Sequence, residues 1–230
     1  MKNTLYSEGM KMADLISSDP SLLIVIARLD IKLGFGDASV ADICKRYRLS
    51  KNLFLMICDI YSFDGFKPST DNLTLDDIPH IISYLKTSHK YYTSYFFPRL
   101  RDDIHLMIKA CNESDRKIMN KFYDDYDAEV RKHFDYEEKT VFPYIETLLA
   151  NGNTGKNYNI GKFEKNHSNI EEKLNDLKSI VTKYLPETCS SPARYDVLCD
   201  IFHIELDLSK HTLIENELLV PLVKRQERNE

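Results

Sequence analysis

Four stretches of roughly thirty residues each carry an apolar stripe at helical spacing, and a histidine interrupts every stripe. They occupy 76–110, 114–149, 158–185 and 193–226. The first stripe runs Ile78, Ile82, Leu85, His89, Tyr92, Phe96, and the second Phe122, Tyr126, Val130, His133, Glu137, Val141, Tyr144. The third runs Ile160, Phe163, His167, Glu171, Leu174, Leu177, and the fourth Ile201, Ile204, Leu208, His211, Glu215, Leu218, Leu222. Turn formers separate the stretches at Asn112-Glu113-Ser114, Asn151 to Gly155 and Pro186 to Pro192. Long helices with short connections predict an all-α fold, an antiparallel up-down four-helix bundle. No alternating apolar run offers a β alternative.

Residues 63–75, with Gly65 and Pro68 among several turn formers, are expected to be a linker. The expected organisation is a small helical N-terminal domain over 1–62, that linker, and the bundle over 76–230. Within the first part, short helices are predicted at Met10–Ser17, from Asp19-Pro20 through Leu29, at Ser39–Tyr47 and at Ser50–Tyr61, with a turn at Leu33–Asp37. The last two resemble a helix-turn-helix in spacing. Residues 1–68 hold nine Lys/Arg against eight Asp/Glu, too even a balance for a nucleic-acid footprint. The whole chain carries a net charge of −5. No apolar run reaches the ~18 residues that span a bilayer, and Met1-Lys2-Asn3-Thr4 starts no apolar leader. A cytoplasmic protein without membrane or nucleic-acid partners is the expectation. Cys44, Cys58, Cys111, Cys189 and Cys199 form no C-x-x-C pair and are expected as reduced, mostly buried thiols.

The chemistry lies in the interrupted stripes. A buried ionised carboxylate without a partner costs several kcal/mol, so several His and Glu on core-facing positions need a collective explanation. A metal centre supplies one, because the cation satisfies each donor. Three H-x-x-x-E pairs occur, His133/Glu137, His167/Glu171 and His211/Glu215, where random placement would give about half of one. Two share a longer frame, H-x-x-x-E-x-x-x-x-[FV]-P, ending at Pro143 and Pro221, which suggests pseudo-twofold helix pairs around a shared site. If Glu137 and Glu215 each bridge two metals, then with His89, His133, His167 and His211 each metal has four protein donors. An oxo or hydroxo bridge makes a fifth and leaves a position open. Mixed imidazole and carboxylate donors suit iron or manganese, with zinc as a further alternative. Glu171 is a candidate additional ligand or supporting group, and Glu129, one turn before His133, a candidate supporting group. His80, His105 and His203 stand outside the repeated frame.

On these two frames, joined with Asn166-His167 and His89, the chain resembles the hemerythrin-like family, and within it the iron-centre repair branch. The resemblance implies a non-haem site of two Fe ions in a four-helix bundle. His89, His133, His167 and His211 would be terminal ligands, and Glu137 and Glu215 would bridge. Oxygen-carrying relatives have a His where this chain has Glu171 and an Asp where it has Asn216, which disfavours stable oxygen carriage. Residues 10–62 resemble the repair branch's N-terminal domain, with Ser39 to Cys44 in register, but Leu33-Gly34 stand at its paired-cysteine positions. The function implied is nitrosative or oxidative stress defence: binding NO, O2 or peroxide, or supplying iron to damaged iron–sulfur proteins. The alternatives are a redox or gas sensor signalling through the N-terminal domain, and a di-iron oxidase or peroxidase. Turnover and homodimerisation are left open.

Overall fold

The computed structural model describes residues 6–152, 158–165, 170–189 and 191–228, and among them the chain is all-α, with no strand. Four short helices come first: α1 (Met12–Ser18), α2 (Leu22–Arg28), α3 (Val40–Tyr47) and α4 (Lys51–Ser62). Their ends are set by local chemistry. Ser39 Oγ accepts from the Asp42 amide at 3.2 Å while the Asp42 carboxylate accepts from the Ser39 amide at 2.9 Å, a reciprocal cap that starts α3. Arg48, with φ of 56°, closes α3 in the left-handed conformation, and the Ser50 hydroxyl caps α4.

The long stretches follow. The first joins α5 (Ile78–Tyr91) and α6 (Phe97–Ile108) through a π turn at Tyr92–Phe96. The second joins α7 (Glu113–Tyr136) and α8 (Phe142–Asn151) through a π turn at Glu137–Val141. Described parts of the third are α9 (Ile160–Lys165) and α10 (Ile170–Ser179), which runs into a π turn at Ile180–Tyr184. The fourth joins α11 (Ser191–Ile214) and α12 (Val220–Arg228) through a π turn at Glu215–Leu219.

Every π turn ends two residues before a proline: Pro98, Pro143, Pro186 and Pro221. Proline has no N–H and its ring crowds the carbonyl four residues back, so the α register cannot continue undisturbed. An i→i+5 turn absorbs the mismatch with one extra residue. At Pro98 the carbonyl of Thr93, five residues earlier, takes its hydrogen bond from Arg131 Nη2 at 2.9 Å.

The chain contributes to two compact units, residues 1–88, 142–165 and 210–230 in one, and 89–141 and 166–209 in the other. In the first, α4 packs on α2 and α3, and α12 packs on α8 and α9. Buried Arg28 donates to the Tyr61 hydroxyl at 2.7 Å, and Tyr84 of α5 donates to the same oxygen at 2.9 Å. Glu227 accepts from Tyr144 at 2.6 Å and from the Ile160 amide at 2.8 Å, capping α9 from α12.

In the second unit, four helical segments surround one core. Phe97, Leu100 and Ile104 meet Met119, Tyr123, Tyr126 and Val130, with Leu174, Leu177 and Val181, and Val197, Ile201 and Ile204, closing the other sides. Each such side chain contributes about 1.5–3 kcal/mol when fully buried. Tyr123 pays its polar cost by donating to the Phe97 carbonyl at 2.6 Å, and burial pushes the Tyr123 and Tyr126 phenols up.

The cysteines correct one expectation. Cys111, after α6, and Cys189, before α11, form a disulfide with Cα atoms 5.0 Å apart and a sequence separation of 78 residues. Cys44 and Cys58 are free and buried, and desolvation lifts the Cys44 thiol to about 11; Cys199 is free and exposed. No helix among the described residues is long and apolar enough to cross a membrane.

Candidate metal centre

His89 lies on α5 three residues before its π turn, and Glu137 opens the π turn that follows α7. His133 sits one α-helical turn before Glu137, so its ring reaches the carboxylate along one face. His133 Nε2 is 2.7 Å from Glu137 Oε1, and His89 Nε2 is 3.1 Å from Glu137 Oε2. The Glu137 side chain is 0% exposed. On the fourth stretch His211 Nε2 stands 3.1 Å from Glu215 Oε1, and both are buried. Glu215, like Glu137, is the first residue of a π turn four residues after a histidine. The shared frame of the sequence is therefore a shared backbone device: helix, histidine, π turn opened by glutamate, proline.

His89 is held from two sides. Its Nδ1 faces Glu138 Oε1 at 3.0 Å, and its ring stacks on Phe134 at 4.1 Å between centroids with 15° between planes. A histidine that donates Nδ1–H to a carboxylate presents the Nε2 lone pair outward, the arrangement that orients metal-binding imidazoles.

One ligating atom from each of His89, Glu137, His211 and Glu215 lies within 4.8 Å of the others. That is close to twice the ~2.1 Å of a metal–nitrogen or metal–oxygen bond. The donor set fits a cation on charge grounds as well. To hydrogen-bond both Glu137 and Glu138, His89 would need protons on both ring nitrogens. A cation at Nε2 removes that need and offsets the burial of Glu137 and Glu215.

Residues 80–225 match the hemerythrin HHE cation-binding domain. The chain belongs to the hemerythrin HHE family. A comparison with curated proteins found no match. Both His/Glu frames and His89 lie inside the hemerythrin match, and the buried His/Glu cluster is the candidate cation site of this hemerythrin domain.

Not every residue singled out in the sequence joins that cluster. His167 lies outside the described residues. Glu129 is engaged by Lys173 in an ion pair from α7 to α10. Glu171 is exposed on α10. His105 and His203 are exposed, and His80 is half-buried. The residue that sequence reasoning missed is Glu138. Its only signal is adjacency to Glu137, and its position just off the apolar stripe is what lets it reach the far nitrogen of His89.

Proposed function

We propose that this chain is a non-haem di-iron protein of nitrosative or oxidative stress defence, binding NO or oxygen species at an open iron position or releasing iron to damaged iron–sulfur proteins. His89, His133, His167 and His211 would be the terminal donors, and Glu137 and Glu215 the shared carboxylates. The observation that carries the reading is Glu137: a fully buried carboxylate with an imidazole Nε2 at each oxygen, at 2.7 and 3.1 Å. Iron held there would supply a redox-active centre with a coordination position for a small ligand. The chain's own part is to fix the donors. Glu138 sets the tautomer of His89, Phe134 sets its ring plane, and the π turns aim Glu137 and Glu215. Four imidazoles against two carboxylates favour binding of neutral small molecules over the chemistry of carboxylate-rich oxidase sites. The iron-centre repair branch supplies the functional analogy, with Leu33-Gly34 standing at its paired-cysteine positions.

The test is metal content and an absorption spectrum on protein purified without chelator, followed by anaerobic titration with NO. About two irons per chain and a spectral change saturating with NO are expected. His133→Ala and Glu215→Ala should each lose iron. A chain that takes up no iron after anaerobic reconstitution, or either variant retaining both irons, overturns the assignment. Transfer of iron to an apo iron–sulfur acceptor then separates donation from ligand binding.

A further inference from the structure

Helix α11 carries two apolar stripes. Val197, Ile201, Ile204 and Leu208 point into the core and are buried. Tyr195, Cys199, Phe202 and Leu206 repeat the same 4-3-4 spacing two residues out of phase. At 3.6 residues per turn, that shift places them about 200° away, on the opposite face. They are exposed: Tyr195 by 70%, Phe202 by 55% and Leu206 by 54%, with Cys199 the exposed free thiol. A helix serving one core alone would be polar there.

The rim of this face is charged and internally paired. Arg99 holds Asp200 at 2.7 Å on one side, and Lys178 pairs with Glu205 on the other while its ammonium lies 5.3 Å from the Phe202 ring centre. An apolar centre inside a satisfied polar rim is the anatomy of a protein interface. At the ~150–250 Å² an aromatic side chain presents, the exposed stripe amounts to roughly 400 Å², within the ~300–600 Å² of the largest, often functional, apolar patch on a monomer.

We infer that this face seats a second copy of the chain, with two α11 helices packed antiparallel about a two-fold axis. The spacing is that of a coiled-coil seam, with Cys199 and Leu206 at one type of position and Tyr195 and Phe202 at the other. Antiparallel pairing sets Tyr195 against the partner's Leu206 and Phe202 against the partner's Cys199. Each large ring meets a smaller side chain, so the seam is complementary to itself, as an isologous interface requires. Asp196 and His203, both exposed, occupy equivalent flanking positions of successive heptads. In the antiparallel pair each Asp196 lies beside the partner's His203, twice over. The two stripes together bury roughly 800 Å², so the flanking polar rims must supply the rest of the about 1,200 Å² that a specific interface needs.

The test is sedimentation equilibrium of the full chain across a concentration series. A dimer is expected, cross-linked through Cys199 by a short bismaleimide. Phe202→Glu and, separately, Leu206→Lys should shift the protein to monomer with helical circular dichroism unchanged. Asp196→Lys should weaken the dimer, and adding His203→Glu should restore it. A monomer at every concentration, a dimer that survives both stripe variants, or a dimer that the Cys199 reagent cannot trap overturns the inference.

Discussion

Removing the Cys111–Cys189 bond should cost this protein a large share of its stability, and the magnitude follows from where the bond sits. It joins residues 78 apart, so it closes a loop containing α7 to α10. In the chain-entropy account, a cross-link over that length restricts the unfolded ensemble by about 4–5 kcal/mol, near the top of the measured range. The folded chain needs little adjustment without it, because both loop ends have other anchors. Arg116 donates to the Cys111 carbonyl at 3.0 Å, and Arg194 donates to Val181, Leu185 and Pro186 carbonyls at 2.8, 3.0 and 3.2 Å. The comparison is native protein against Cys111→Ser/Cys189→Ser in urea, followed by far-ultraviolet circular dichroism. With a slope of about 2–3 kcal/mol/M, the midpoint should fall by roughly 1.5–2 M. Thiol titration in denaturant without reductant should count three reactive groups. Five reactive thiols, or coincident unfolding curves for the two proteins, would refute the reasoning.

Glu138→Ala should weaken metal binding by about 10–100-fold without unfolding the chain, because it removes the group that orients His89; competition with a chelator measures it, and unchanged affinity would show that Phe134 stacking suffices. Asp59 is 1% exposed with Oδ1 unpartnered, and burial raises its carboxyl to about 6. Its folded-state value exceeds the unfolded one, so ionisation penalises the fold: the penalty is absent below about pH 4 and complete above about pH 6. Asp59→Asn should therefore add about 2–3 kcal/mol at neutral pH and almost nothing at pH 4, and denaturant curves at the two pH values decide it. Tyr61→Phe removes the acceptor shared by buried Arg28 and Tyr84 and should destabilise by about 1–3 kcal/mol. A urea midpoint that does not move would mean another group takes up the guanidinium.

The helices were legible because apolar periodicity over thirty residues has few other solutions. The predicted stretch 76–110 is helical over Ile78–Ile108, 114–149 over Glu113–Asn151, and 193–226 over Ser191–Arg228. The short helices expected at Ser39–Tyr47 and Ser50–Tyr61 are present as Val40–Tyr47 and Lys51–Ser62, with Ser39 and Ser50 as their caps. The π turns were not. A single extra residue per stretch leaves the stripe readable, and proline inside a helical pattern signals a disturbance without saying how the backbone absorbs it. Four residues after His89 stands Thr93 in place of a glutamate, and Pro98 is one residue closer to its histidine than Pro143 and Pro221 are to theirs, so the first stretch does not share the repeated frame.

By itself the sequence determined which residues could take part: amphipathic periodicity and capping are local, so the helices, the mid-helix histidines and the His/Glu frames are written in residue order. Tertiary structure decided which of them meet. Cys111 finds Cys189, Glu138 finds His89, and Lys173 finds Glu129. Those pairings join residues 78, 49 and 44 positions apart. Contacts at such distances depend on how helices rotate against one another in the packed core, and residue order does not encode that rotation in any single stretch.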